Sequence, residues 1–247
     1  MRVAVAGGTG LTGRLVAEEL RRDGHEPVVL ARSRGVDLVS GQGLDDALAG
    51  CTAVVDVTNV TTVRRDTAVR FFGSTATNLT AAADRAGVGH LVVLSIVGID
   101  RVGLGYYAGK RRQEEVVTGG PVPWTVLRAT QFHEFAGQLL DRSRGPLAVV
   151  PRMLCQPVAV AEVAARLAGL ATGAPTGFAR ELAGPEQLQM TDLARAVVRA
   201  RHLRRLVVPV RLPGATGRAM ATGGLLPDGP HDVGRSTFAG QLGTVPA

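Results

Sequence analysis

A chain of 247 residues with 45% apolar content can bury one continuous core and is too hydrophobic to stay disordered. Two cysteines exclude a disulfide framework and read as reduced thiols of a cytoplasmic protein, and no apolar run approaches the ~20 residues that cross a bilayer. The formal charge of +7 rests on dispersed arginines, which disfavours a nucleic-acid-binding face, and of the 28 basic residues all but Lys110 are arginine.

Strand and helix signals alternate from the start. Residues 2–6 are apolar and already strand-like, so no targeting segment is expected. Residues 12–22 predict a helix, with Leu15, Val16, Glu19 and Leu20 spaced for one face and Gly24 beyond its end. Residues 27–31 predict a second strand, 36–39 a short third, 44–49 a helical turn and 53–57 a fourth strand. The clearest helix is 66–86, where Val69, Phe72, Ala76, Leu79, Ala83 and Ala86 recur at helical spacing and Gly87 follows as a stop. Residues 91–96 predict a fifth strand apolar enough to be covered on both faces, 106–117 a helix, and 124–127 a sixth strand. This alternation predicts an α/β fold with a doubly wound parallel sheet.

After Arg128 the pattern loosens. Residues 132–140, 161–171 and 191–201 predict helices, the last with Thr191 as N-cap. Residues 147–150, 156–160, 178–183 and 206–210 predict extended segments, and prolines and glycines make the rest loop-rich. One domain over 1–247 is expected, with residues 145–247 forming a substrate-binding cap on the edge of the sheet. No long exposed apolar helix face stands out, so a monomer or weak homo-oligomer is expected.

The densest chemical signal is GGTGLTG at residues 7–13, between the first strand and the first helix. Gly7 suits a tight turn, Gly10 a close approach of main chain to ligand, and Gly13 close packing of helix on strand. The helix N-terminus behind them offers N–H groups and partial positive charge to a diphosphate. A site selective for NAD would carry Asp or Glu after the second strand, to accept from the ribose 2′-hydroxyl. This chain has Ala31-Arg32-Ser33-Arg34 instead. Arg32 can stack on adenine and pair with a 2′-phosphate, and Ser33 and Arg34 add donors, so NADP is expected. Asp37 comes too late for the ribose and is expected to end the third strand beside the adenine.

Ser95 ends the fifth strand, and Tyr106 and Lys110 stand one helical turn apart in YYAGK. A lysine ammonium beside a tyrosine favours the phenolate, which would lower the hydroxyl pKa and let it exchange a proton with a carbonyl oxygen. Lysine also serves the nicotinamide ribose as a compact point charge, which fits Lys110 being the sole lysine. Tyr107, one position off that face, competes for the role. No metal-ligand spacing is present.

These stretches together resemble the atypical short-chain dehydrogenases, in particular the NmrA-like NAD(P)-binding group. The likeness runs through LARSR at 30–34, DALAGCTAVVDVT at 46–58, HLVVLSIVGID at 90–100, YYAGKRRQEEVV at 106–117 and PWTVLRATQFHEF at 123–135. It continues more weakly through PVAVAEVA at 157–164, ELAGPE at 181–186 and TFAGQL at 237–242. The resemblance implies a Rossmann fold with a small C-terminal substrate region. It implies phosphate contacts at Thr9, Gly10, Leu11 and Thr12, and 2′-phosphate contacts at Arg32 and Ser33. Val57, Thr58 and Asn59 would line the ribose, Ser95 and Val97 the nicotinamide, Lys110 its ribose, and Ala129, Thr130, Gln131 and Phe132 the carboxamide end.

The expected activity is NADPH-dependent reduction of a small hydrophobic carbonyl or quinone. Tyr106 would act as acid, Ser95 would polarise the oxygen, and Tyr106, Phe132, His133 and Leu154 would line an apolar cleft. His133 reads equally as a packed histidine. Tyr106 follows Ser95 more closely than in standard members, and VTNV at 57–60 stands where those carry Asn-Asn-Ala-Gly. A redox-neutral isomerase or cyclase and a non-catalytic NADP-sensing regulator share this pattern.

Overall fold

The computed structural model describes residues 1–143 and 145–242. The chain begins with β1 (Arg2–Ala6), α1 (Leu11–Arg22), β2 (Glu26–Leu30), α2 (Leu44–Leu48) and β3 (Ala53–Asp56). There follow α3 (Arg65–Arg85), β4 (His90–Ile96), α4 (Gly105–Thr118) and β5 (Trp124–Ala129). The rest runs α5 (Phe135–Arg142), β6 (Leu147–Pro151), β7 (Leu154–Cys155), α6 (Val160–Thr172), β8 (Gly177–Phe178), β9 (Leu182–Ala183) and β10 (Leu188–Gln189). Last come α7 (Met190–Ala200), β11 (Leu206–Val210), α8 (Gly214–Ala221), β12 (Asp232–Val233) and α9 (Phe238–Leu242). Two compact units arise. The first is Met1–Ile96, Leu104–Arg128 and Val160–Arg180; the second is Val97–Gly103, Ala129–Ala159 and Glu181–Ala247.

The first unit is a Rossmann-type sheet in the order β2-β1-β3-β4-β5, with β8 beside β5. β1 runs parallel to both β2 and β3, and β3 parallel to β4. Strand order reverses between β1 and β3, the position at which such sheets bind ligands beyond the strands' carboxyl ends. The third strand expected at 36–39 is absent. The Asp37 carboxylate accepts the N–H groups of Val39 (2.8 Å) and Ser40 (3.4 Å). Asn78 of α3 donates to the carbonyls of Leu38 (3.1 Å) and Val39 (2.8 Å). Side chains thus occupy the backbone groups a strand would need, and Asp37 organises a turn rather than ending a strand.

Both faces of this sheet are covered. On one, Ala4, Ala6, Val54, Leu91, Val93 and Val126 form a buried cluster with Ala76, Leu79 and Ala83 of α3 and Val117 of α4. Truncating a side chain such as the fully buried Leu79 to alanine costs about 2–5 kcal/mol. On the other, α1 and α6 pack on each other and on the strands. The continuous apolar runs of β1, β3 and β4 follow from this double covering. Helices α3 and α4 cross closely at Gly109, where a Cβ would lie 2.7 Å from the Ala68 carbonyl carbon and 2.7 Å from the Phe72 ring.

In the second unit β9 pairs with β12 and with Ala129, β7 pairs with β10, and β6 pairs with β11. Several boundaries differ from the sequence reading. Thr191 lies inside α7, whose N-cap is the extended Gln189. The segment 156–160 is not a strand: β7 ends at Cys155, Val158 makes a single bridge to Phe132, and Val160 opens α6. Helix α5 begins at Phe135, after a turn at residues 133–134. The loop-rich tail contains α8, β12 and α9; residues 243–247 of the expected cap lie outside the described residues. Among the described residues no helix is long and apolar enough to cross a membrane, and no cluster of metal-ligating side chains occurs.

Candidate functional site

The turn at residues 7–13 requires glycine at three of its positions, 7, 8 and 13. Gly7 has φ +80°, in the left-handed region, and a Cβ on it would lie 2.8 Å from the Val57 carbonyl oxygen. A Cβ on Gly13 would lie 2.3 Å from the Gly7 oxygen, which lets α1 start against the loop. Gly8, not singled out in the sequence, is as constrained: its Cβ would meet the Val5 oxygen and the Val29 side chain at 2.9 Å. Gly10 differs. It is exposed, extended, and a Cβ would touch only the Gly7 oxygen, at 3.3 Å. It caps α1 with no side-chain hydrogen bond and no acidic residue in the first turn. The positive end of the helix therefore opens to solvent, with Thr9 and Leu11 exposed and Thr12 buried behind them.

Arg32, Ser33 and Arg34 make one 3-10 turn directly after β2, all three exposed, closed by Gly35 at φ +78°. The turn presents two guanidiniums, a hydroxyl and no carboxylate.

The ends of β3 and β4 carry the polar side chains. Val57 and Thr58 follow β3 and back onto Gly7. The Thr58 hydroxyl and the Ser95 hydroxyl on β4 are buried, and each lacks a hydrogen-bond partner among the described residues. An unpaired buried hydroxyl is costly, and the Thr80 hydroxyl on α3 shares that state. Tyr106 donates to Asn59 Oδ1 at 2.7 Å, with its ring edge-on to Phe72. Burial pushes its hydroxyl up to about 12, against the lowering expected from the sequence.

Lys110, expected to lower it, points elsewhere. Its ammonium is buried, donates to the Leu94 carbonyl (2.6 Å) and to Gln113 Oε1, and lies 4.8 Å from the centre of the Phe72 ring. Burial brings its pKa down to about 8, partly offset by Asp56 and Glu114. Tyr107 is buried, its hydroxyl also pushed up, first by burial and then by Tyr106. Two members of this region were missed in the sequence, Asp56 and Gln113, both fully buried. Asp56 ends an otherwise apolar strand and Gln113 stands one turn after Lys110; those were the available signals.

In the second unit, the Val97 N–H bonds to the Ala129 carbonyl (3.0 Å), and the Thr130 hydroxyl to the Gln156 carbonyl (2.5 Å). Both polar atoms of the Gln131 amide are buried without a partner. Phe132 and Leu154 are half-buried. His133 is buried, with Nδ1 2.5 Å from Gln241 Oε1, Nε2 3.0 Å from the Pro157 carbonyl and its ring edge-on to Phe238. Both ring nitrogens are thus engaged, as in the packed alternative.

A family model of NAD(P)H-binding proteins matches residues 7–169. A reductase of (4-alkanoyl-5-oxo-2,5-dihydrofuran-3-yl)methyl phosphate from Streptomyces griseus is 32% identical over 221 residues, covering 80% of this chain and 74% of that protein. Among solved structures, an NADPH-dependent quinone oxidoreductase from Escherichia coli in complex with NADPH superposes with a TM-score of 0.71, at 19% identity and 98% coverage of each chain. A triphenylmethane reductase from a Citrobacter species superposes with a TM-score of 0.68, at 17% identity, covering 93% of this chain and 92% of that one. The two structures share the fold.

Proposed function

The chain belongs to the NAD(P)H-binding family of Rossmann-type oxidoreductases, and from that premise we propose that it uses NADP and reduces a small hydrophobic carbonyl or quinone. The observation that carries the NADP reading is the turn at Arg32–Arg34, where donors stand in place of the acid that would accept from a ribose 2′-hydroxyl. The S. griseus relative acts on the methyl phosphate of an alkanoyl oxo-dihydrofuran, a ring bearing carbonyl groups; this supports a carbonyl-bearing substrate, while its phosphate does not speak for the hydrophobic part of the reading.

The glycine turn and the N-terminus of α1 hold the diphosphate, with Thr9, Leu11 and Thr12 alongside. Thr58 and Ser95, buried and unpartnered, and the bare main chain at Gly10 fit a ligand rich in hydroxyls and phosphate. Val57 and Asn59 border the ribose, and Asp37 supports the neighbouring turn. Val97, Ala129, Thr130, Gln131 and Phe132 serve the nicotinamide end, where the two unpaired atoms of the Gln131 amide match a carboxamide's donor and acceptor. When bound, the reduced coenzyme supplies a hydride. The carbon of the substrate carbonyl accepts it, and the carbonyl oxygen takes a proton.

Ser95 donates a hydrogen bond to that oxygen. Tyr106 keeps its proton at neutral pH, because burial raises its pKa to about 12, and is therefore the donor form that reduction requires. Asn59 orients the hydroxyl until substrate replaces it as acceptor. Lys110 acts from below, through the Leu94 carbonyl that precedes Ser95. Leu154, half-buried, contributes to substrate selection, whereas His133, with both ring nitrogens engaged, serves packing.

The test is calorimetry with NADPH and NADH, followed by depletion of NADPH absorbance against a panel of small quinones and ketones. Tighter binding of NADPH and turnover of at least one panel member are expected. Equal affinity for the two coenzymes rejects the 2′-phosphate reading, and binding without any turnover rejects the reductase reading.

A further inference from the structure

A buried chain of polar side chains runs between the backbone segments that carry two of the unpartnered hydroxyls of the first unit, Thr58 and Ser95. The Thr58 N–H donates to Asp56 Oδ1 at 2.9 Å, and Asp56 Oδ2 accepts from Gln113 Nε2 at 2.6 Å. Gln113 Oε1 accepts from the Lys110 ammonium, which also donates to the Leu94 carbonyl at 2.6 Å. That carbonyl belongs to the peptide group that continues into Ser95. One end of the chain therefore grips the backbone of Thr58, and the other grips the backbone beside Ser95.

Gln113 is the neutral link between two buried charges. Its amide has one accepting and one donating end, and with an ammonium on one side and a carboxylate on the other only one orientation satisfies both. Glu114 also lies near Lys110, but Arg128 of β5 holds its carboxylate with two hydrogen bonds, at 2.6 and 3.0 Å. Phe72 of α3 covers the ammonium. An apolar filling of this space would serve stability as well or better, since buried ion pairs seldom repay their desolvation. The chain is better explained by what stands at its two ends, hydroxyls that no protein group uses.

We propose that Gln113 is a positioning residue of the coenzyme site, holding the end of β3 and the end of β4 in register so that Thr58 and Ser95 meet the bound dinucleotide together. This rests on the coenzyme reading above. The residue acts through Asp56 and Lys110 and touches no ligand itself.

Two variants of the full chain test it, with NADPH affinity measured by calorimetry and folding checked by thermal melting. Gln113→Leu keeps the volume and removes both hydrogen bonds; NADPH affinity is expected to fall about tenfold or more. Gln113→Glu places two carboxyl groups side by side, and such a pair retains one proton at low pH. In that form its O–H donates to Asp56 and its other oxygen accepts from Lys110, which restores the chain. When the proton leaves, two carboxylates face each other and the chain breaks. The affinity of Gln113→Glu relative to wild type is therefore near unity at about pH 5.5 and falls about tenfold by about pH 8.

A relative affinity that is reduced equally at all pH values, in step with a lowered melting temperature, overturns the proposal in favour of a merely structural role. Wild-type affinity in both variants overturns it while leaving the coenzyme reading intact. Absence of NADPH binding by the wild-type protein itself overturns both.

Discussion

Replacing Gly10 by valine separates the coenzyme cradle from the fold. Gly10 has φ −77° and ψ 173°, extended values open to any residue, and its side-chain direction meets only the Gly7 oxygen at 3.3 Å. Removing a glycine N-cap in favour of an apolar residue costs roughly 1 kcal/mol or less. For a chain of this size that lowers the melting temperature by about 2–4 °C. The isopropyl group, however, fills the space in which main-chain N–H groups would meet a diphosphate. Losing two charge-assisted hydrogen bonds at about 1.5–3 kcal/mol each weakens NADPH by ~3–6 kcal/mol, more than a hundredfold. Gly13→Ala is the informative contrast, since its Cβ would stand 2.3 Å from the Gly7 oxygen and 2.6 Å from the Gly8 Cα. Overpacking of that kind costs about 1–3 kcal/mol in stability before any ligand is added. Calorimetry and melting on both proteins give the comparison. NADPH affinity unchanged in Gly10→Val would refute the cradle.

Arg32→Glu is expected to weaken NADPH at least tenfold while leaving NADH nearly unaffected, because it sets a carboxylate where a 2′-phosphate is proposed to sit; parallel titrations check this. Tyr106→Phe should lower turnover about 10²-fold or more with little change in NADPH affinity, and steady-state rates set beside calorimetry separate the two. Lys110→Met addresses a pH effect. Burial holds the Lys110 pKa near about 8, below its ordinary 10.5, so above pH 8 the unfolded chain binds the proton more readily than the folded one. Lys110 therefore makes wild-type stability rise with pH from about 8 towards 10.5. The buried Cys51 and Cys155, raised from 9.0, and Tyr106, raised from 10.0, act in the opposite sense as pH climbs past those ordinary values. Denaturant midpoints of wild type minus Lys110→Met between pH 8 and 9.5 isolate the lysine, and a flat difference contradicts its burial as an ammonium.

The first unit was readable because its signals are local. Apolar runs of strand length alternate with helices of clear period, and a glycine turn stands between the first pair. The third strand failed because side chains of Asp37 and Asn78 capture the backbone at 38–40, one of them from far along the chain. Tyr106 and Lys110 were correctly placed on one helix, but their spacing says nothing about side-chain direction. Lys110 turned inward to partners on β4 and α4, and the hydroxyl it was expected to acidify found Asn59 instead. In the second unit, pairings of two residues such as β9 with β12 leave no periodicity to read, and helices α8 and α9 are short and rich in glycine and alanine.

The near-contact of α3 and α4 at Gly109 bears on any attempt to re-engineer this protein. The position lies between the tyrosine and the lysine, and the space a methyl group would need is already held by Ala68 and Phe72, the ring that touches both. A methyl there would have to drive two backbones apart, tilting the Tyr106 hydroxyl and the buried ammonium together. Random mutagenesis should therefore register this site as intolerant for activity, and a reader of such a map would mistake a spacer for a member of the chemistry.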